Sequence, residues 1–129
     1  RTERVTYTST PFYHYVQRGN SISRNTKVNL APMDASLAQL EFYKKSFPDL
    51  DYIAETAVFF AHASIYTTYC RNGQICPKDL LKKINPICKE YLGSVLKNSY
   101  IPKMKKAQAL MFCYAKPAYK TIVRRREHR

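Results

Sequence analysis

Apolar residues recur every three or four positions through most of the chain, and this spacing predicts helices rather than strands. The longest run is Ile53–Tyr66, IAETAVFFAHASIY, which contains no Gly, Pro, Lys or Arg. It exceeds the length of a typical strand, about 5–6 residues, and its alanines favour helix. Its apolar residues spread over most of the helix surface, which is typical of a helix enclosed by other elements. We predict a central buried helix over Asp51–Cys70, with Asp51 able to cap its first turn.

Prolines and a glycine set the ends of the neighbouring helices. The first helix is predicted from about Asp34, which can cap it, to Phe47, because Pro48 stops it. A short link then places this helix antiparallel to the central one. Gly73 is available for a left-handed C-cap after the central helix.

Two further helices open at prolines, which favour the first helical position. Pro77 opens the third helix, whose apolar residues keep helical spacing as far as Leu96. Pro86 interrupts this pattern and predicts a kink or two short helices. Pro102 opens the fourth helix, and Pro117 ends or bends it.

The two ends of the chain differ from this helical centre. Residues 1–31 show no sustained helical period and contain Thr, Ser, Asn, Pro and Gly, which predicts an extended arm. Residues 118–129 form a basic tail that can continue as helix. The sequence therefore predicts an all-α protein: a small four-helix bundle over residues 32–117, with a long extended N-terminal arm and a basic C-terminal tail.

Charge is distributed unevenly along the chain. The 129 residues include 22 Lys and Arg against 9 Asp and Glu, a net charge of +13. Residues 32–76 hold 3 basic and 5 acidic side chains, whereas residues 77–129 hold 14 basic and 3 acidic ones. The arm adds 5 basic side chains and 1 acidic one. This excess predicts a polyanionic partner, and nucleic acid is the first candidate.

Several lysines crowd the predicted starts of the third and fourth helices, where cations oppose the helix macrodipole. A bound phosphate would reverse that cost, because backbone N–H groups and lysines then converge on one anion. For each single lysine, solvation of the surface is the alternative explanation. No zinc finger, RNA-recognition motif or helix-turn-helix is visible, so we expect phosphate contacts without sequence preference. The predicted nucleic-acid-binding residues are Arg4, Arg18, Arg24, Lys27, Lys78, Lys82, Lys103, Lys105, Lys106, Lys116, Lys120, Arg124, Arg125 and Arg126.

Aromatic residues are interspersed with the basic ones in the arm. Tyr7, Phe12, Tyr13 and Tyr15 are too many for a purely solvated linker. Such side chains either stack on bases or pack against a neighbouring subunit, and the sequence leaves both alternatives open.

No catalytic pattern is visible. The three histidines are far apart, no pair of carboxylates stands out, and GxSxG, HExxH and P-loop motifs are missing from the sequence. His62 lies within the predicted central helix, where a single histidine is more often a hydrogen-bonded core residue than a base. We expect no enzymatic activity, no cofactor and no metal site.

Four cysteines, Cys70, Cys76, Cys88 and Cys113, allow two interpretations. Cys70 and Cys76 bracket a turn between two predicted helices, and a disulfide there would leave Cys88 and Cys113 to join the third and fourth helices. The alternative is four reduced and mostly buried thiols. The spacing does not match paired zinc-binding cysteines.

In layout, the whole chain resembles the major coat proteins of filamentous archaeal viruses of the lipothrixvirus and related groups. The resemblance rests on the arm Arg1–Ala31, the helices from Asp34 onward and the basic end at Arg124–Arg126. It implies a small four-helix protein, located in the virion, that polymerises around double-stranded DNA held in A-form. It also implies a pairing with a related coat subunit and, in some viruses, a lipid envelope. Phosphate contacts would then come from the basic residues of the arm and from the lysines of the third and fourth helices.

A secreted, cytokine-like four-helix ligand is the alternative function. It would be held together by two disulfides and would bind an acidic polysaccharide through its basic tail. This alternative accounts for the even number of cysteines and predicts a secretory signal upstream of Arg1. It does not account for an arm rich in Tyr and Arg.

Overall fold

The computed structural model describes residues 28–127, with side chains described for residues 28–125. This part of the chain is all-helical and contains no strand, which confirms the predicted all-α class. The described residues form five α-helices, one more than the sequence pattern predicted. They are α1 Ala31–Ser46, α2 Asp51–Arg71, α3 Lys78–Lys97, α4 Lys103–Tyr114 and α5 Lys116–Glu127, with a 3₁₀ turn at Pro48–Leu50 between α1 and α2.

Helix α2 is the centre of the fold. It packs against α1, α3 and α5, while α4 packs against α3 and α5. The fully buried side chains of α2 include Val58, Phe59 and His62, each at most 1% exposed. The broad apolar surface of this helix therefore has a structural cause, because three other helices cover it.

Helix α1 begins three residues earlier than predicted, at Ala31 rather than Asp34. The side chain of Asn29 accepts a hydrogen bond from the Ala31 N–H at 3.0 Å, and Pro32 fits the first turn because it has no N–H to satisfy. Asp34 consequently lies inside the first turn, where its charge favours the macrodipole but does not cap the helix. The predicted cap was wrong by one turn.

The sequence predicted either a kink or two short helices at Pro86; helix α3 is continuous through this residue, so the second of these alternatives did not occur. Pro86 lies on an exposed face, where its ring meets solvent. Ile84 and Cys88 on either side are fully buried in the core. Burial on both sides of the proline therefore holds the helix together despite one missing backbone hydrogen bond.

The end of α2 is a left-handed glycine cap. Gly73 has φ +68°, the conformation that the sequence led us to expect. The Gln74 N–H donates to the Tyr69 carbonyl at 2.9 Å, and the Gly73 N–H donates to the Cys70 carbonyl at 3.3 Å. This pair of bonds is a Schellman motif, which satisfies carbonyls that the helix end would otherwise leave unpaired.

The main core is built around aromatic rings from α2, α4 and α5. The ring centroid of Phe112 lies 6.1 Å from that of Phe59, 5.6 Å from that of Tyr66 and 5.4 Å from that of Tyr119. These edge-to-face arrangements favour the aromatic quadrupoles. The Tyr119 hydroxyl also lies 2.8 Å from the Thr67 hydroxyl. Helix α5, which contains most of the segment 118–129 predicted as a tail, is therefore packed into the folded body.

Replacement of Gly73 by alanine should lower the free energy of unfolding by about 1 kcal/mol, because a Cβ disfavours positive φ by ~1–2 kcal/mol. No atom lies within 4 Å of the added Cβ, so the cost is conformational rather than steric. Gly93→Ala is the matched control, since this glycine is helical and equally uncrowded. It should raise stability by about 0.5–1 kcal/mol. Urea unfolding of both variants measures the difference, and changes of the same sign would contradict it.

Candidate nucleic-acid interface

The basic residues that the structure describes belong mostly to α3, α4 and α5, whereas the acidic ones belong mostly to α1, the 3₁₀ turn and α2. Exposed lysines stand at the first position of two of these helices, Lys78 in α3 and Lys103 in α4. Neither helix start has a side-chain cap, and α4 has no acidic residue in its first turn. The exposed backbone N–H groups and the lysines therefore form two basic helix ends.

These two helix ends are not adjacent. Helix α3 contains 20 residues, so its two ends lie about 30 Å apart at a rise of ~1.5 Å per residue. Helix α4 begins within a few residues of the end of α3, at Lys103. The lysines at the start of α3 and those at the start of α4 therefore mark opposite ends of α3. They do not converge on one small anion, but an extended polyanion can contact both.

At the start of α4, three predicted binding residues have different environments. Lys103 and Lys105 are exposed. The Lys106 ammonium donates to the Leu96 carbonyl at 2.6 Å. Leu96 belongs to the last turn of α3, where carbonyls lack helical partners. Lys106 therefore acts as a C-terminal cap, because it gives one of these carbonyls a hydrogen bond. Of the three, Lys106 thus has a structural role that the sequence did not indicate.

At the start of α3, Lys78 is exposed and Lys82 pairs with Asp79. The Nζ–Oδ1 distance of the pair is 3.5 Å, and the two side chains are 79% and 93% exposed. A pair this exposed adds little to stability because water screens it. It does not prevent Lys82 from exchanging Asp79 for a phosphate.

Three of the predicted binding residues, Lys116, Lys120 and Arg124, lie four positions apart along α5, whose first residue is Lys116. The Lys116 ammonium lies 4.6 Å from the centroid of the Phe112 ring, a cation–π contact. Lys116 is half-buried, and desolvation lowers its pKa. Lys120 is also half-buried and lines a small pocket beside Tyr66, whereas Arg124 is exposed. Exposure along this side of α5 therefore increases toward Arg124, the residue most accessible to a partner.

Two exposed arginines, Arg124 and Arg125, complete the set that the structure describes. The side chain of Arg126 lies outside the described residues. So do the predicted arm residues, basic and aromatic alike: Arg4, Arg18, Arg24, Lys27, Tyr7, Phe12, Tyr13 and Tyr15.

All four cysteines are free thiols, and all are buried. They form two neighbouring pairs, as the proposed pairing requires. Cys113 donates through its thiol to the Cys88 carbonyl at 3.7 Å, while Cys70 and Cys76 line one small pocket. Burial raises the pKa of the Cys88 thiol to about 12, and it also raises the pKa of Cys76 and of Cys113.

His62 lies in the core, and its Nδ1 is 2.8 Å from the Val58 carbonyl oxygen. Because a carbonyl only accepts, Nδ1 must carry the proton of this hydrogen bond. The other ring nitrogen, Nε2, is buried without a partner, as is Oδ1 of Asn85 in α3. His62 is thus a core residue with one hydrogen bond, in agreement with its expected role.

A polar contact between α2 and α3 was missed by the sequence analysis. The Ser94 hydroxyl donates to the Glu55 carboxylate, and the Asn98 amide donates to the Thr56 hydroxyl at 3.2 Å. Asn98 also accepts from the Tyr100 N–H at 3.0 Å. These bonds fix the link that leads into α4. The Ser94–Glu55 and Asn98–Thr56 bonds join residues 39 and 42 positions apart in the chain, so no local pattern could reveal them.

The described residues contain no group of three or more His, Cys, Asp or Glu placed to hold a metal ion. Within the same part of the chain, no helix combines the length and the apolar character needed to cross a membrane.

Comparison with known proteins gives no relative. No protein-family model, curated protein or solved structure matches this chain.

The cysteines should resist alkylation in the native protein. Burial shields all four thiols from the reagent. For Cys88, whose pKa is raised to about 12, only about one part in 10⁴ is thiolate at pH 8, and the thiolate is the reactive form. Iodoacetamide at pH 8 should therefore add no label to native protein and four labels in guanidinium, as counted by intact mass. Ser99→Cys, at an exposed position, is the control and should accept one label natively. Rapid native labelling of Cys88 would contradict this account of its burial.

Proposed function

We propose that this protein is a structural nucleoprotein, the coat protein of a filamentous virus, which polymerises along double-stranded DNA. In this proposal the helices form a bundle that α5 extends, and the basic N-terminal arm wraps the nucleic acid or a neighbouring subunit. The protein acts without catalysis, resides in the virion, and binds copies of itself or a related coat subunit.

The observation that supports this proposal is the placement of exposed lysines at the starts of α3 and α4. Cations at a helix N-terminus cost about 0.3–1 kcal/mol each when exposed. A phosphate bound at such an end removes that cost and gains hydrogen bonds from free N–H groups. Two such ends, about 30 Å apart along α3, suit a long phosphate backbone better than a small anion.

The chemistry of these contacts predicts weak sequence preference. Lysine and arginine at helix ends contact phosphates, which are the same in every sequence. The described helices offer no exposed row of amide side chains for reading base edges. Affinity should therefore depend on salt and on length rather than on base composition.

The cytokine-like alternative has less support. It requires two disulfides to hold four helices together, whereas the four cysteines are free thiols in the structure.

Charge removal at the two helix starts should weaken DNA binding while slightly stabilising the fold. The double variant Lys78→Ala/Lys103→Ala removes two phosphate contacts, so the slope of log K against log salt should fall by about 2. Thermal unfolding should show a small gain in stability, because the macrodipole is no longer opposed. Fluorescence anisotropy of a labelled duplex across a salt series measures the binding.

The matched control is Lys44→Ala/Lys45→Ala. These lysines are also exposed, but they lie in the last turn of α1, where cations favour the dipole. Their removal changes the net charge equally, should slightly destabilise the fold and should leave DNA affinity nearly unchanged. Equal losses of affinity in the two double variants would show that total charge, and not this surface, determines binding.

Filament formation is the direct test of the coat function. The full chain mixed with duplex DNA should form ordered filaments visible by electron microscopy, and a duplex RNA of equal length tests the choice of nucleic acid. A protein that stays monomeric at high concentration in the presence of either duplex would overturn the proposal.

A further inference from the structure

A large apolar groove lies between α2, α4 and α5. Its volume is about 560 Å³, within the range of ~300–1,000 Å³ typical of ligand pockets. Aromatic rings form much of its wall, namely Phe59 and Phe60 from α2, Phe112 from α4 and Tyr119 from α5. Contiguous apolar surface of this kind usually marks a place where another molecule or segment binds.

The rim of the groove selects against cationic occupants. Lys105 and Arg71 line it, and no Asp or Glu does. A lysine or arginine placed there would meet these like charges at short range. The groove is therefore unfavourable for a basic segment, whereas its apolar walls suit an apolar or aromatic one.

The arm contains one such segment. Residues 5–17, VTYTSTPFYHYVQ, include no Asp, Glu, Lys or Arg, although Arg4 and Arg18 flank them directly. The four aromatic residues of the arm, Tyr7, Phe12, Tyr13 and Tyr15, all fall within this uncharged stretch. The arm thus keeps its charge and its aromatic side chains in separate places.

The start of the described chain packs against the same core cluster that contributes to the groove walls. Val28 is half-buried and packs against the main core cluster, to which Phe59, Ala63 and Phe112 also belong. The intervening residues 18–27 span up to about 35 Å when extended, at ~3.3–3.6 Å per residue. That length exceeds the ~10–12 Å diameter of one helix, so the segment can pass around α2.

We propose that the groove binds residues 5–17, with the aromatic side chains of this segment against the aromatic walls. The occupant is this segment of the same chain, because the link of residues 18–27 is long enough to bring it to the groove. This contact goes beyond DNA binding, because it assigns the arm aromatics to the protein surface and leaves only the flanking arginines for phosphates.

Photo-cross-linking in the full-length protein, without nucleic acid, tests the contact. Benzoylphenylalanine in place of Tyr13 should cross-link to groove residues of α2 and α5, as mapped by mass spectrometry of the digest. The same probe at Tyr100, which is 81% exposed and outside the groove, is the control and should give no groove cross-links. Mixing isotope-labelled with unlabelled copies identifies the donor: cross-links within one copy support the inference, and cross-links between copies would overturn it.

A variant that obstructs the groove provides a second test of the contact. Ser64 is exposed and lines the groove, so the ring introduced by Ser64→Phe should occupy part of the groove and lower the cross-link yield by at least about tenfold, since two rings cannot share the same space. Gln39→Phe on the exposed surface of α1 is the matched control and should leave the yield unchanged. Circular dichroism confirms that both variants are folded.

Absence of groove cross-links in the unblocked protein would overturn the inference. Native mass spectrometry showing a copurified acyl lipid in place of the arm contact would overturn it too. Neither result depends on nucleic acid, so a failure here leaves the salt-dependent DNA binding to be judged separately. Conversely, arm docking without any DNA binding would overturn the coat function alone.

Discussion

The contact on which this fold depends is the edge-to-face packing of Phe112 against three rings, Phe59, Tyr66 and Tyr119. It joins α4 and α5 to α2, and no other aromatic ring among the described residues has as many ring partners. Because Phe112 is 1% exposed, its loss would leave a cavity between three helices at once. The same residue supports the Lys116 ammonium and forms a wall of the groove. Core, charge placement and the candidate binding groove thus share one side chain.

The packing also explains why some lysines contribute to the fold and others do not. Lys106 closes the end of α3 and Lys116 lies on an aromatic face, so both contribute to the folded body. Lys78, Lys103 and Lys105 are exposed at helix starts, where they weaken the isolated helices. A charge that opposes folding and supports no contact within the body points to a role outside it. This contrast underlies the nucleic-acid proposal more than the total charge does.

The sequence predicted the helices because their apolar periodicity and their end signals agree, as with the run Ile53–Tyr66 and the cap at Gly73. It failed where tertiary packing overrides a local rule. Pro86 did not divide α3, because Ile84 and Cys88 are held in the core on either side. The uses of Lys106 and Lys116 could not be predicted, since both depend on contacts that only the folded chain creates. The groove has no sequence signature for the same reason: its walls come from three helices.

The spacing between the starts of α3 and α4 has a consequence for how long a nucleic acid must be. About 30 Å corresponds to roughly nine base pairs at ~3.4 Å per step. In the proposed DNA binding, a duplex that reaches both ends would be held by two linked contacts, and the second would form at the effective concentration set by the first. A shorter duplex would engage one end and would dissociate as a monovalent ligand does. The fixed length of α3 would therefore make the affinity for a long duplex higher than the affinity for a short fragment.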